Sequence, residues 1–187
     1  MGKCILVTGG ARSGKSTFSE TTAKSYGERI LYIATAIPFD DEMKDRIEKH
    51  KEKRNSKWTT IESFEDIAGI IRNMGDKYDC IILDCITVMV TNQILNYFDY
   101  DLAGLDIGDF NKVENILVPR INDLLIEIAK TKSAAVLVTN EVGWGIVPEN
   151  FVARAFRDIY GRINQILGEG ADEVYLTVCG IPIKIKG

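Results

Sequence analysis

A glycine-rich segment close to the N-terminus limits what this chain can fold into more than any other part of the sequence. It follows the phosphate-loop pattern G-x-x-x-x-G-K-[ST] at every fixed position, after the apolar residues 4–8 and before a helix-forming segment. The segment consists of Gly9, Gly10, Ala11, Arg12, Ser13, Gly14, Lys15 and Ser16. Glycines allow successive backbone N–H groups to turn towards a phosphate, and the helix that follows adds the positive end of its dipole. The segment predicts a nucleotide-binding site, and a chance glycine-rich turn is the weaker alternative.

Two residues of this segment have predicted chemical roles. Lys15 is expected to bridge the β- and γ-phosphate oxygens, and the hydroxyl of Ser16 is expected to bind Mg²⁺. A second Mg²⁺ ligand is expected at Asp84, which ends the apolar residues 80–83, because parallel strands direct their carboxyl ends at the ligand crevice. The alternative for Asp84 is a carboxylate that caps the next helix.

Apolar, β-branched runs alternate along the chain with helical patterns. Because these runs are nearly continuous in apolar residues, they favour parallel strands covered on both faces. We therefore expect a P-loop NTPase-type α/β fold, a single domain over residues 1–187 with a doubly wound, mostly parallel sheet and an antiparallel C-terminal edge hairpin. The predicted strands are residues 4–8, 29–34, 80–83, 134–139, 173–178 and 181–185. The predicted helices are residues 15–26, 40–53, 64–74, 112–131 and 150–167, and residues 97–110 are predicted to form a loop or lid.

Composition excludes several classes of protein. A net charge of -4 and a pI near 5.2 argue against a general nucleic-acid binder. No apolar run approaches the roughly 20 residues that a membrane span needs, and the N-terminus lacks a signal-peptide pattern, so a cytoplasmic protein is expected. The four cysteines, Cys4, Cys80, Cys85 and Cys179, lie in or beside apolar runs without a C-x-x-C pair, which predicts buried, reduced thiols.

The only histidine of the chain, His50, lies in a strongly charged helical segment, residues 40–54. Alternating charges of this kind are typical of a solvated helix face, and a histidine within them is usually a surface residue. From the pattern alone, a surface position for His50 is the stronger interpretation.

Taken together, these features resemble the bifunctional cobinamide kinase and cobinamide-phosphate guanylyltransferase family of cobalamin assembly. The resemblance runs over nearly the whole chain and depends on a series of short motifs in a fixed order. They are Thr8 to Ser16, Tyr32-Ile33-Ala34-Thr35, Arg46-Ile47-x-x-His50 with Trp58 and Glu62, Asp84-Cys85-Ile86-Thr87 with Thr91-Asn92, Thr139-Asn140-Glu141-Val142-Gly143, Gly145-Ile146-Val147-Pro148, Phe156-Arg157-Asp158, Gly161-Arg162-Ile163-Asn164-Gln165 and Ala171-Asp172-Glu173-Val174.

The resemblance implies two successive reactions. Enzymes of this family phosphorylate the aminopropanol hydroxyl of adenosylcobinamide, with ATP or GTP as donor, and then transfer GMP from GTP to adenosylcobinamide phosphate through a guanylylated histidine. His50 matches that histidine. A neutral imidazole suits the role, because its free nitrogen can attack the α-phosphorus while pyrophosphate departs.

The resemblance also implies a nucleotide site larger than the phosphate loop, and an assembly that resembles a homotrimer. Positions carried over as guanine-nucleotide contacts are Ala34, Thr35, Ala36, Lys51, Glu52, Lys53, Arg54, Glu62 and Asp84. Cationic side chains can pair with phosphates, and the carboxylate of Glu62 could accept hydrogen bonds from guanine. For the charged members of this set, an ordinary surface position is an equal alternative.

Two other functions remain open from the sequence. One is a plain small-molecule kinase that uses the phosphate loop and has His50 on its surface. The other is a nucleotide switch or a nucleic-acid-linked ATPase. The acidic pI and the absence of an Asn-Lys-x-Asp motif argue against the second alternative.

Overall fold

The computed structural model describes residues 2–38, 41–53 and 55–187, and it describes residues 42, 43, 46, 50, 52 and 53 by their backbone alone. The described residues form seven strands and six α-helices. In chain order these are β1 Cys4–Gly9, α1 Lys15–Lys24, β2 Ile30–Ala34, α2 Asp41–Lys53, β3 Thr59–Glu62, α3 Ile67–Met74, β4 Cys80–Asp84, α4 Ile86–Tyr97, α5 Ile107–Lys130, β5 Ala134–Val138, α6 Phe151–Gly170, β6 Glu173–Val178 and β7 Ile181–Lys186.

All seven strands belong to one sheet, in the order β3-β2-β4-β5-β1-β6-β7. Every pairing is parallel except that of β6 with β7, which are joined by a tight antiparallel turn. The predicted doubly wound sheet with its C-terminal edge hairpin is therefore confirmed. Within the described residues, none of the helices is both long enough and apolar enough to cross a lipid bilayer.

Alternate residues of the central strands enter two separate cores, one on each face of the sheet. Leu6 and Leu83 pack on the face covered by α3, α4, α5 and α6, whereas Val7 and Ile82 pack on the face covered by α1. This alternation follows from the two-residue period of a strand. Because both faces of the sheet are covered, almost every residue of the central strands is apolar. The sheet is thus buried on both sides.

Three elements differ from the sequence-based predictions. Helix α4 and strand β3 had not been predicted, because α4 is rich in β-branched residues and β3 is a short, largely exposed edge strand. Helix α5 begins at Ile107, five residues earlier than predicted, since the Asp106 and Asp109 side chains form a capping box there. The predicted loop therefore covers only residues 98–106.

The prediction of four buried thiols is wrong for one of them. Cys4, Cys80 and Cys85 are buried, and burial raises the pKa of each to about 12. Cys179 is exposed, because it lies in the turn between β6 and β7. Its φ of 52° and the φ of 81° at Gly180 are the two positive values of a two-residue type I′ turn.

This turn packs against the phosphate loop. The Gly180 N–H donates to the Ser13 carbonyl oxygen at 2.8 Å, and a hydrogen bond of 2.9 Å joins the hydroxyls of Ser13 and Thr177. A Cβ atom at Gly14, where φ is +100°, would lie 2.8 Å from the Gly180 Cα atom. The loop can therefore approach the hairpin this closely only because residue 14 is glycine.

Gly14→Ala should destabilise the protein by about 1–3 kcal/mol, because alanine is strained at this φ and its methyl group would displace the hairpin. Urea unfolding measures this change. Gly10→Ala is the matched control: a Cβ atom there has no neighbour within 4 Å, so the effect should stay within about 0.5 kcal/mol. Equal stability of the two variants would contradict the tight packing of loop and hairpin.

Glu173 connects the hairpin to the N-terminal strand. Its carboxylate pairs with Lys3 at 2.7 Å and with Lys184 at 3.0 Å, and it accepts a hydrogen bond from the Tyr175 hydroxyl at 2.9 Å. Hydrogen bonds from Lys3, Lys184 and Tyr175 lower the pKa of Glu173 to about 2. The ionised carboxylate is therefore favoured in the folded chain.

Glu173→Gln should lower the free energy of unfolding by about 1 kcal/mol at pH 7. The carboxylate contributes fully above its ordinary pKa of 4.5, and its contribution is lost as the pH falls from there towards 2. Urea unfolding between pH 7 and pH 2, with the exposed Glu28→Gln as control, measures this difference. A stability difference that persists unchanged at pH 2 would contradict the ion-pair explanation.

Candidate functional site

The phosphate loop, residues 9–16, connects the carboxyl end of β1 to the first turn of α1. The Lys15 side chain is buried, and its Nζ donates to the carbonyl oxygens of Gly9 at 2.9 Å and Gly10 at 2.6 Å. These bonds hold the ammonium group inside the curve of the loop. A positive charge is therefore fixed where the sequence predicts phosphates.

Ser16 and Asp84 lie on the same face of the sheet at its carboxyl edge. Helix α1, which carries Ser16 in its first turn, packs across β4 and β5. Asp84 ends β4 two residues after Ile82, which belongs to the α1-facing core, and its Oδ2 accepts a hydrogen bond from the Tyr32 hydroxyl at 2.5 Å. Helix α4 is capped by Cys85 rather than by Asp84. The capping alternative for Asp84 is therefore excluded.

The oxygen atoms of Ser16 and Asp84 fit Mg²⁺, because this ion is usually bound through one or two protein oxygens together with substrate phosphates. Within the described residues, no group of three or more His, Cys, Asp or Glu side chains could hold a metal ion by itself. A site shared between protein and nucleotide is the arrangement that these donors allow.

Thr35 links the ends of β2 and β4. Its buried hydroxyl donates to the Cys85 carbonyl oxygen and accepts from the Cys85 N–H, both at 2.9 Å. The Asn92 side chain on α4 donates to the Thr35 carbonyl oxygen at 2.7 Å. Thr35 therefore uses its side chain to hold two strand ends together, and this contact determines where Ala34, Ala36 and Asp84 lie.

A further carboxylate, to which the sequence analysis gave no role, lies beside the loop. Glu141, which follows β5, accepts a hydrogen bond on Oε1 from the Thr8 hydroxyl at 2.7 Å, and its N–H donates to the Gly9 carbonyl oxygen at 3.2 Å. The segment before it is anchored by Asn164, which binds the Thr139 hydroxyl and the Asn140 carbonyl oxygen. The sequence signal that could have revealed it was its position directly after a predicted buried strand, since its place beside β1 depends on strand order.

Two of the remaining predicted contacts, Lys51 and Glu62, lie at the β3 edge of the sheet. Lys51 on α2 pairs with Glu62 at the end of β3, with 2.6 Å between Nζ and Oε1. Four strand spacings separate β3 from β1, which corresponds to roughly 19 Å. Residue 50 lies in the last turn of α2, next to Lys51. The side chains of His50, Glu52 and Lys53, and the whole of Arg54, lie outside the described residues.

The buried cysteine beside Asp84 is not a reactive thiol. The pKa of Cys85 is raised to about 12, mainly by burial and also by the charge of Asp84, while the charge of Lys15 opposes this rise. Cys85 is therefore a protonated structural residue.

Comparison with solved structures supports the fold. The chain resembles a Pyrococcus horikoshii protein with a TM-score of 0.54 at 9% identity, covering 99% of this chain and 86% of that one. It also resembles an ATPase of a bacterial type III secretion system with a TM-score of 0.52 at 12% identity, covering 94% of this chain and 51% of that one. At these identities the likeness concerns the fold alone.

Comparison of sequences is more specific. The chain is 44% identical to the bifunctional adenosylcobalamin biosynthesis protein CobU of Escherichia coli, covering 97% of this chain and 99% of that protein. It is 45% identical to the CobU protein of Salmonella typhimurium with the same coverage, and 33% identical to the CobP protein of Pseudomonas aeruginosa, with 97% and 96% covered. Residues 5–185 match the sequence model of one family. The chain thus belongs to the cobinamide kinase / cobinamide phosphate guanyltransferase family, a family of transferases.

Proposed function

We propose that this protein phosphorylates adenosylcobinamide and then transfers GMP from GTP to the product, giving adenosyl-GDP-cobinamide in cobalamin biosynthesis. The observation that carries the proposal is a complete phosphate loop, with Lys15 held inside it, in a chain that matches the family over residues 5–185. The relatives from Escherichia coli and Salmonella typhimurium are named as bifunctional proteins of adenosylcobalamin biosynthesis, which supports both halves of the reaction.

In the first half-reaction the aminopropanol hydroxyl attacks the γ-phosphorus of ATP or GTP. The new O–P bond forms as the bond to the β–γ bridging oxygen breaks, the hydroxyl proton passes to solvent, and the nucleoside diphosphate leaves. The loop N–H groups and Lys15 stabilise the charge that develops on the departing phosphate. Ser16 and Asp84 would hold Mg²⁺, which supplies charge neutralisation at the phosphates when bound.

In the second half-reaction an imidazole nitrogen of His50 attacks the α-phosphorus of GTP. An N–P bond forms, the bond to the α–β bridging oxygen breaks, and pyrophosphate leaves from the phosphate loop while the imidazole loses its N–H proton. The phosphate of adenosylcobinamide phosphate then attacks the same phosphorus, the N–P bond breaks, and His50 takes a proton back from solvent as it leaves. Splitting the transfer in this way replaces one displacement between two charged groups by two easier steps.

Guanine recognition is proposed for the β3 edge, where Glu62 and Lys51 form an ion pair. A carboxylate can accept two hydrogen bonds from the guanine edge, and Lys51, Lys53 and Arg54 can neutralise phosphates. Because β3 and β1 are four strand spacings apart, His50 and the loop must be brought together by a movement of α2 or by a neighbouring subunit. A homotrimer, as the family resemblance implies, would supply such a neighbour.

A second candidate is a small-molecule kinase without a covalent nucleotide intermediate. The same four-strand separation favours it, since a kinase needs only the loop, the Mg²⁺ ligands and an acceptor. The two candidates differ in whether the α-phosphate of GTP ever becomes bonded to the protein.

Incubation of the purified chain with GTP labelled on the α-phosphate should give an acid-labile, base-stable label on the protein. His50→Ala should abolish this label, because the chain has no other histidine. Lys49→Ala is the matched control: Lys49 is the adjacent residue, and its exposed ammonium pairs with Asp45 within α2, so its loss should leave labelling intact. A labelled His50→Ala variant, or an unlabelled parent chain, would reject the histidine intermediate and favour the plain kinase.

Lys15→Ala should reduce both phosphorylation of cobinamide and protein guanylylation by about 100-fold or more, because both steps need the same phosphate clamp. The two activities are measured separately, with circular dichroism to verify folding. If either activity remained normal, the loop would not be the shared site of the two reactions.

A further inference from the structure

A cleft of about 320 Å³ adjoins the phosphate loop on the side away from Asp84. It lies between α1 and the β6–β7 turn, and its walls are formed by Gly14, Thr17, Phe18, Thr21, Gly180 and Pro182. Its volume is at the lower end of the range for pockets that hold small organic molecules. None of the residues assigned so far to guanine recognition lies in this cleft.

Strand order gives the loop two distinct sides. β1 pairs with β5 on one side and with β6 on the other. Asp84 ends β4 and Glu141 follows β5, so both carboxylates lie on the first side of the loop. The cleft adjoins the hairpin on the second side. When the γ-phosphate of a nucleotide faces the Asp84 side, the side of the loop next to the hairpin is left open for its base.

We propose that this cleft binds the purine base of the nucleotide that donates the γ-phosphoryl group. The proposal rests on the proposed kinase reaction and adds a base subsite separate from the guanine-reading residues at the β3 edge. The triphosphate of the donor then runs along the loop with its γ-phosphate at the β4–β5 side and its base at the hairpin.

The lining of the cleft suits the face of a base better than its edge. The six wall residues are uncharged, and Phe18 and Pro182 offer apolar surface against which a planar ring can pack. Thr21 already uses its hydroxyl to donate to the Thr17 carbonyl oxygen at 2.9 Å. A wall of this kind binds a ring without distinguishing adenine from guanine, so either purine nucleotide serves as phosphoryl donor.

The turn between β6 and β7 is held in place by its contacts with the phosphate loop. Strand β7 is exposed along all of its residues, so it contributes little to the burial of apolar surface. Its turn is nevertheless fixed to the loop by the Gly180 to Ser13 hydrogen bond and by the close approach of Gly14. The hairpin therefore provides a wall whose distance from the phosphate loop is set by these contacts.

In the two half-reactions the nucleotide then binds to the same loop in opposite orientations. Guanylyl transfer requires the α-phosphorus to face residue 50, which lies with Lys51 and Glu62 on the β2–β3 side. The pyrophosphate part of GTP occupies the loop while its guanosine extends away from the hairpin. Guanine is read in this second orientation only, where Glu62 is available.

Photolabelling with 8-azido-ATP tests where the base lies, and it requires no corrinoid. We expect the label on peptides from α1 and from residues 178–186, and we expect unmodified ATP to compete for it. Label on residues 55–62 instead would overturn the proposal. If α1 and hairpin peptides were labelled in a chain that GTP never guanylylates, the base cleft would stand and the histidine mechanism would be rejected.

The variant Thr21→Trp tests the cleft directly. Thr21 is an exposed residue of α1 that lines the cleft, and the larger tryptophan side chain would fill it. The Kd of ATP should rise about tenfold or more, as for the loss of one base-stacking contact. The affinity for tripolyphosphate, which has no base, and the rate of guanylylation by GTP should stay unchanged. Glu28→Trp, an exposed change beyond the end of α1, is the control. Unaltered ATP affinity in a folded Thr21→Trp variant, or equal losses of ATP and tripolyphosphate binding, would overturn the proposal.

Discussion

The shape of the phosphate loop depends on hydrogen bonds that reach it from both sides. On one side the Glu141 N–H donates to Gly9, and on the other the Gly180 N–H donates to Ser13. Within the loop, Lys15 donates to the carbonyl oxygens of Gly9 and Gly10. Because Glu141, Gly180 and Lys15 satisfy these loop carbonyls, the loop's own N–H groups can be directed at a phosphate chain. The segments that flank the loop thus help it to present its N–H groups to negatively charged phosphates.

The strand order explains how one loop can serve two chemistries. Placing β5 between β1 and β4 separates the loop from Asp84 by one strand and fixes Glu141 beside Gly9. On the opposite side, β6 and β7 form a wall that contacts the loop, and β7 is exposed along all of its residues. The proposed donor-base cleft and the proposed guanine site therefore lie in different directions from the same phosphates. Phosphoryl transfer, which does not select the base, is thereby separated from guanylyl transfer, which requires guanine.

The sequence predicts the phosphate loop, the parallel strands and the C-terminal hairpin because each depends on local residue patterns. Helix α4 could not be predicted in this way. It buries Asn92 and Gln93 together with several β-branched residues, so it has no continuous polar face to reveal a helical period. Strand β3 is four residues long, mostly exposed and polar, and only its pairing with β2 defines it.

The same distinction applies to the candidate site. Lys15, Ser16 and Asp84 could be predicted because motif position determines their location on the sheet edge. The roughly 19 Å between β1 and β3 depends on strand order, which no local pattern contains, and so the separation of Lys51 and Glu62 from the loop became evident only in the structure. The supporting contacts of Thr35, Asn92 and Glu141 are likewise tertiary, since each joins residues far apart in the chain.

A crystal structure with a GTP analogue in which a methylene group replaces the α–β bridging oxygen tests the central claim most directly. Such an analogue cannot lose pyrophosphate, and without cobinamide its γ-phosphate has no acceptor, so it should remain intact on the protein. The account predicts its β- and γ-phosphate oxygens within hydrogen-bonding distance of Lys15 Nζ and of the backbone N–H groups of residues 11–16. Terminal phosphates bound elsewhere, with Lys15 still donating to the carbonyl oxygens of Gly9 and Gly10, would contradict it.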